Sequence, residues 1–202
     1  VHGLAIETLM SHLACADEDV PMNAAQRGAF AALAGRTSAK RMSLANSAGI
    51  ALGAEYAFDL TRPGLSLYGG VPRAELAAIR QVATPQAQVI QRRRVAAGGT
   101  IGYNATWTAA AATEVAILNI GYADGYWRGF SNVGAARAGE AVFPVLGRVS
   151  MDLLAVDCGA AGVGEGDWLS LDFALPQAAA QSGMSQYELL TGLGARLDRV
   201  WC

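Results

Sequence analysis

The chain has 202 residues, 52% of them apolar and 16% charged, with a net charge of −2, which suffices for one or two domains around a sizeable core. This balance supplies no basic field for nucleic acid: the arginine run at 92–94 is short, lacks aromatic neighbours and is expected at a solvated strand edge. No apolar stretch reaches the roughly 20 residues of a membrane helix, and neither the cysteines Cys15, Cys158 and Cys202 nor the histidines His2 and His12 have the spacing of a disulfide framework or a metal centre, so that a reducing cytoplasm and no metal are expected.

Residues 3–14 read as a mostly buried strand with its preceding turn, with His12 near the carboxyl end. Beyond the acidic loop at 17–19, Met22, Ala25, Ala29, Phe30 and Leu33 recur at helical spacing, which predicts a helix over 21–34 closed by Gly35. A short strand over 42–45 runs into Asn46 and Ser47 and a second helical segment, and 56–68 holds another loop–strand unit. Strand and helix alternating at short intervals imply parallel strands joined by crossovers, as in an α/β barrel or an open doubly wound sheet. In both, chemistry gathers at the carboxyl ends of the strands, where His12, Asn46, Ser47 and residues 62–65 fall.

After a short helix expected over 73–82 the texture changes. Strands are predicted over 89–95, 114–120, 141–145, 151–156 and 168–173, forming a β-rich second domain. The glycine-rich run at 162–167 lacks the lysine and the strand-to-helix context of a nucleotide loop and reads as a turn. Ser185 and Glu188 match a capping box, predicting a helix over 186–197. The division is drawn as 1–75, an α/β part, and 76–202, a β-rich domain.

Within the first part, the Ser47 hydroxyl and the backbone N–H groups of Gly64 and Leu65, which follow Pro63, suit a phosphate. Arg62, a permanent planar cation, suits a ring nitrogen or an anion. Together they point to a phosphorylated cofactor. In the second part, Tyr103 lies between Gly102 and Asn104 in a run of permissive residues, so it sits at a bend. Its phenol can serve as acid or base where its surroundings tune it, and a tyrosine packed beside a strand bulge is the competing reading. The loops at 120–129 and 146–152 are rich in tyrosine, glycine and aspartate, as binding loops tend to be.

Six motifs carry a more specific resemblance: Ser-His-Leu-Ala-Cys-Ala-Asp-Glu from Ser11, Leu-Ala-Asn-Ser-Ala-Gly from Leu44, Arg-Pro-Gly-Leu-Ser-Leu-Tyr-Gly from Arg62, Ile-Gly-Tyr-Asn-Ala-Thr-Trp from Ile101, Gly-Tyr-Ala-Asp-Gly-Tyr from Gly121 and Gly-Arg-Val-Ser-Met-Asp from Gly147. In order and approximate spacing they resemble the alanine racemase family. The resemblance implies the last strands of a (β/α)8 barrel that binds pyridoxal phosphate, then a β-rich domain, in a head-to-tail homodimer. It implies that Tyr103 exchanges the α-proton on one face of alanine in the partner subunit's active site. By the same resemblance Arg62 faces the pyridine nitrogen with His12 behind it, and Ser47, Gly64 and Leu65 form the phosphate cup with Asn46 beside it. Tyr122 and the Met151 backbone resemble parts of the substrate entrance and carboxylate site, and Asp152 shares their loop.

The chain also departs from the family. The lysine that holds the cofactor as a Schiff base and serves as second base has no counterpart, since the single lysine, Lys40, lies outside any such motif and reads as a surface residue. Gly194, Ala195 and Arg196 stand where some members carry a phosphate-contacting tyrosine. The expectation is a C-terminal portion of a racemase that interconverts L- and D-alanine by two-base proton transfer, supplying D-alanine for peptidoglycan, and that is inactive by itself. The alternative is a non-catalytic dimerisation or binding module derived from the same family. An amino-acid decarboxylase of related architecture ranks third, because a glutamate would be expected in place of Arg62.

Overall fold

The computed structural model describes residues 3–159 and 162–201; Val1, His2, Ala160, Ala161 and Cys202, and with them the readings of His2 and Cys202, lie outside the described residues. The chain divides into two compact units, residues 1–80 and 81–202.

In the first unit, β1 (Thr8–Met10) pairs in parallel with β2 (Arg41–Ser43), and α1 (Pro21–Ala31) lies on the crossover between them. Parallel pairing demands such a crossover. The long buried strand expected over 3–14 is corrected: only three residues, Thr8–Met10, form the strand that is in register with β2, Met10 and Leu4 are exposed, and His12 is exposed as well. Helix α1 begins with proline, which suits a first turn whose amides need no partner. Its expected apolar stripe is also corrected, since Met22, Ala25 and Ala29 face outward while Phe30 and Asn23 are buried. Phe30 meets Phe58 edge-on at 5.0 Å, and Asn23 Nδ2 donates to the Glu18 carbonyl at 2.8 Å. Phe30 joins Leu13, Leu44, Ala45, Ala48 and Tyr56 in one small core.

Beyond β2, Asn46 caps α2 (Ser47–Ala51), its Oδ1 accepting from Gly49 N at 2.9 Å. The strand expected within 56–68 shrinks to a single parallel bridge between Asn46 and Arg62, flanked by 3-10 turns at Ala54–Tyr56 and Leu65–Tyr68. Pro63 has no N–H to extend a ladder. Of the helix expected over 73–82, one 3-10 turn remains, Ala74–Leu76. Arg73 is instead buried and tied down, donating to Asp19 at 2.5 Å, Glu75 at 3.0 Å and the Ala16 carbonyl at 3.1 Å.

The second unit is built on ten-residue β3 (Gln86–Val95), hairpin strands β4 (Thr100–Ile101) and β5 (Trp107–Thr108), then β6 (Thr113–Leu118), β7 (Ala135–Ala138), β8 (Ala141–Leu146), β9 (Leu154–Asp157) and β10 (Trp168–Leu171). Six of these close into an antiparallel barrel in the order β10-β3-β6-β9-β8-β7. Closure leaves no free edge within the closed part. The arginines at 92–94 pair with β6 on one side only, because β10 reaches no farther along β3 than Gln88, so they lie on a solvated edge beyond the closed part of the barrel; Arg92 Nη1 also donates to the Val163 carbonyl at 2.8 Å. Strand β6 is apolar on both faces because both are covered. Ala116 and Leu118 point into the barrel, whereas Val115 joins Val95, Ile101, Ala109 and Leu146 in a separate cluster beneath the β4–β5 hairpin. Helices α3 (Leu175–Ser182) and α4 (Gln186–Gly192) bury Leu175, Ala178 and Leu189 in the barrel core. The capping box is formed at Ser185 and Glu188, and the helix ends at Gly192 rather than 197.

One core hydroxyl has nothing to bond. Tyr126 Oη is buried without a hydrogen-bond partner among the described residues, and burial, then the Asp172 charge, push its phenol well above the usual range. Its ring stacks on Phe130 at 4.4 Å. Because a hydroxyl removed from water and left unpaired is unfavourable, Tyr126→Phe is expected to keep or raise stability by up to about 1 kcal/mol. Urea unfolding followed by tryptophan fluorescence checks this, and a loss above that size would contradict it. All four tryptophans, at 107, 127, 168 and 201, lie in this unit.

Candidate functional site

In the first unit, one arginine ties its own segment to two others, around residues 11–12 and 43–44. Arg62 Nη1 donates to Ser43 Oγ at 2.6 Å, and Nη2 donates to the Ser11 carbonyl at 2.7 Å and to the Leu44 carbonyl at 3.3 Å. Ser43 Oγ in turn donates a hydrogen bond to the Leu60 carbonyl at 2.6 Å. Nη2 also stands 3.4 Å from His12 Nδ1, and Asn46 Nδ2 stands 3.4 Å from His12 Nε2. The capping bond to Gly49 fixes which way the Asn46 amide points, so both contacts would present donors to the ring. A neutral imidazole accepts at one nitrogen only, which makes one of the two a close approach and not a hydrogen bond. The Arg62 Nε–H has no partner among the described residues.

Directly after this bridge the backbone turns around a buried serine. Ser47 Oγ accepts from Gly64 N at 3.0 Å and from Ser66 N at 3.2 Å. Two donors nearby remain unused among the described residues: the N–H of buried Leu65, and the Ser66 hydroxyl, which is buried without a partner. All six residues expected in this unit, His12, Asn46, Ser47, Arg62, Gly64 and Leu65, are thus brought into two adjoining networks. Ser43 and Ser66 complete them and were not legible in advance, because a serine in a short strand and another in a turn carry no distinctive pattern.

In the second unit the loops bearing Tyr122 and Met151 are stitched by their backbones. Tyr122 N donates to the Ser150 carbonyl at 3.0 Å and Ala123 N to the Met151 carbonyl at 2.9 Å. Gly121 makes this approach possible, since a Cβ there would lie 2.4 Å from both the Ser150 and Met151 oxygens. Asp124 Oδ2 accepts from Gly121 N at 2.9 Å inside the same turn. The Met151 N–H itself has no partner among the described residues, and its side chain is exposed. The Arg128 guanidinium lies over the Tyr122 ring at 4.7 Å. With Arg148, Ser131, Asn132 and Thr106 it lines an open concavity of about 440 Å³.

Tyr103 sits at the tip of the β4–β5 hairpin, in a 3-10 turn over Tyr103–Ala105. Gly102 adopts φ 78°, and a side chain there would strike the Arg148 backbone at 2.8 Å. Asn104 and Ala105 also take positive φ, 63° and 48°, a conformation that costs a non-glycine residue free energy and persists only where the surroundings impose it. The imposition comes from below, where Ile101, Trp107 and Ala109 pack into the cluster shared with Val115 and Leu146. Tyr103 itself is 68% exposed. The reading of a strand tyrosine packed beside a bulge is therefore corrected: the bend is real, and the ring projects from it.

Residues 82–201 match the family model for the alanine racemase C-terminal domain, and residues 1–72 match that for the alanine racemase N-terminal domain. The chain belongs to the alanine racemase family. The alanine racemase of Rhodospirillum rubrum is 44% identical over 201 residues, covering 95% of this chain and 53% of its own length. That of Acidiphilium cryptum is 43% identical over 204 residues, covering 98% and 57%. Among solved structures, the alanine racemase of Bartonella henselae, which carries covalently bound pyridoxal phosphate, is similar with a TM-score of 0.86 at 32% identity, over 98% of this chain and 57% of that one. The biosynthetic alanine racemase of Pseudomonas aeruginosa has a TM-score of 0.84 at 34% identity. This alanine racemase family chain spans about half the length of the curated relatives it matches. No helix among the described residues is long and apolar enough to cross a membrane.

Proposed function

We propose that this chain supplies the phosphate cup, the ring-facing arginine and the proton-transferring tyrosine of a pyridoxal-phosphate-dependent alanine racemase. The observation that carries the reading is the group of donors around Ser47: a buried hydroxyl joined by two amides, with the Leu65 N–H and the Ser66 hydroxyl beside it unused. Buried donors without acceptors are rare in native folds, and a phosphate offers several acceptor oxygens, so the residues present fit that group. The spare Nε–H of Arg62 fits a pyridine nitrogen in the same way.

Bound pyridoxal phosphate supplies the electron sink that makes the α-hydrogen of alanine removable. Each residue of this chain then has a defined task. Arg62, which cannot give up its proton, would donate towards the ring nitrogen of the bound cofactor and so disfavour a proton there, a setting that would favour racemisation over transamination. His12 and Ser43 hold Arg62 in place. The Met151 N–H takes the substrate carboxylate, and the Tyr122 ring shapes the entrance. The Tyr103 phenol moves a proton on and off the α-carbon from one face, acting in the other subunit of a homodimer.

Residues 1–75 form, in this reading, the last strands of a (β/α)8 barrel, and 76–202 the β-rich domain. The parallel β1–β2 pair and the exposed Leu4, Met10 and Met22 support it, as apolar surface that a larger barrel covers. The second base and covalent anchor is a lysine on a barrel segment outside these 202 residues. Lys40 is unsuited to that role, being paired with Glu7 at 2.5 Å with its side chain 67% exposed. The product, D-alanine, serves peptidoglycan synthesis in the cytoplasm.

The chain by itself is therefore expected to form no covalent cofactor complex and no D-alanine from L-alanine. A polypeptide joining a lysine-bearing barrel segment to it is expected to do both. Absorbance of the bound cofactor and a chiral assay of alanine decide. Turnover by the 202-residue chain, or none by the joined polypeptide, would sink the proposal, the second outcome favouring a non-catalytic dimerisation module.

A further inference from the structure

Arg196 lies where the family resemblance offered no role, yet it meets two carboxylates from separate loops. Its Nη1 lies 2.7 Å from Asp152 Oδ1, and its Nε lies 3.1 Å from Asp124 Oδ1. Asp124 is buried, and its other oxygen already holds Gly121 N at the start of the Tyr122 turn. Asp152 directly follows Met151. A single guanidinium thus joins the loop that carries Tyr122 to the loop that carries Met151. The segment bearing Arg196 is itself fixed, Gly194 N donating to the Asp124 carbonyl at 3.2 Å.

The two loops have other stitches, but those act on carbonyls: Ser150 and Met151 accept from Tyr122 and Ala123. The 150–153 turn is closed by Ser150 N donating to the Leu153 carbonyl at 2.9 Å, but Arg196 is the one side chain among the described residues paired with the Asp152 carboxylate, and the Met151 N–H next to it stays unpaired. We propose that Arg196 is a positioning residue, clamping Asp124 and Asp152 together so that the Met151 N–H and the Tyr122 ring keep a fixed relation to the substrate carboxylate. The proposal rests on the reading of Met151 and Tyr122 given above. A planar fork reaches two carboxylates at once, whereas an ammonium is a point charge that holds one. The clamp therefore depends on shape as well as charge.

The test uses Arg196→Lys and Arg196→Ala in the joined, lysine-bearing polypeptide, with Asp152→Asn as a milder variant that keeps the Arg196–Asp124 pair. Expected is a roughly tenfold rise in KM for alanine in both directions with kcat within about twofold, since ground state and transition state share the carboxylate contact. Hydrogen exchange at the amides of Gly121, Tyr122 and Ala123 is expected to quicken about tenfold in the same variants, reporting local opening independently of turnover. A wild-type KM in Arg196→Lys would show that charge alone suffices and overturn the clamp, as would a fall in kcat with KM unchanged. Should Arg196→Ala fail to fold, Asp152→Asn decides on the same two readouts. Should the wild-type polypeptide not racemise, the functional reading fails, and unchanged amide exchange in the variants would still refute the clamp.

Discussion

Tyr103→Phe is expected to lower racemisation by about a hundred- to ten-thousand-fold in both directions, the range in which a positioned acid–base group contributes, while leaving stability and bound cofactor unchanged. The second half of this expectation follows from the fold. Tyr103 is 68% exposed, and the residues that anchor its hairpin are Ile101, Trp107 and Ala109, none of which touches the hydroxyl through any bond in the structure. The positive φ values at Gly102, Asn104 and Ala105 belong to the backbone and persist in the variant. Removing one exposed oxygen therefore removes chemistry without removing packing. The measurement is initial rate from L- and from D-alanine on the joined polypeptide, with thermal unfolding and cofactor absorbance alongside. Exchange of the α-hydrogen with solvent deuterium distinguishes a lost proton carrier from lost substrate binding. Unchanged turnover would remove Tyr103 from the site.

How far such residues can be read from sequence depends on where their partners lie. Tyr103 announces itself locally, because glycine before it and asparagine after it are the residues that tolerate left-handed backbone, and the structure uses both. Ser47 and Gly64 are equally local, a serine at a strand end and a glycine after proline. Asp124 and Arg196 are not, for their significance comes from a contact across 72 positions of chain that no spacing rule encodes. The same distinction separates the elements found from those corrected. Strands of the closed barrel bury one or both faces and so show β-branched or apolar runs, as β6 does. Strand β7, with the sequence Ala-Ala-Arg-Ala, has no such propensity and exists because β8 and β10 hold it on both sides. In the first unit the periodicity over 21–33 and the apolar run over 3–14 predicted more burial than the unit provides, since its small core buries Phe30 and Leu13 of those segments, with Leu9 and Leu33 only partly covered against it. A helix is expected over 73–82, but the ion pairs of buried Arg73 with the exposed carboxylates of Asp19 and Glu75 fix the chain at its first turn.

Arg62→Ala is expected to loosen the first unit by roughly 2–4 kcal/mol, the loss of charge-assisted hydrogen bonds together with a buried acceptor left bare. The Leu44 carbonyl belongs to a residue only 1% exposed and takes a bond from Nη2, so in the variant it has no replacement donor and little water. The Ser11 carbonyl, in an exposed residue, rehydrates and contributes little. Ser43 Oγ keeps its bond to the Leu60 carbonyl but loses the donor that fills its other site. Arg62→Lys retains the charge and one of these contacts, and is expected to recover about half the loss, because an ammonium lacks the fork that spans Ser43 and Ser11 together. Tryptophan fluorescence is blind to this change, all four tryptophans being in the second unit. Hydrogen exchange is the suitable probe: Ser11 N, bonded to the Ser43 carbonyl, and residue 62's own N–H, bonded to the Ala45 carbonyl at 2.8 Å, report on the strand junction that the guanidinium braces. Faster exchange at these two amides, with an unaltered fluorescence transition, is the expected result. Full protection in Arg62→Ala would mean that the backbone pairing stands without the arginine, and that its hydrogen bonds only aim the guanidinium instead of holding the fold.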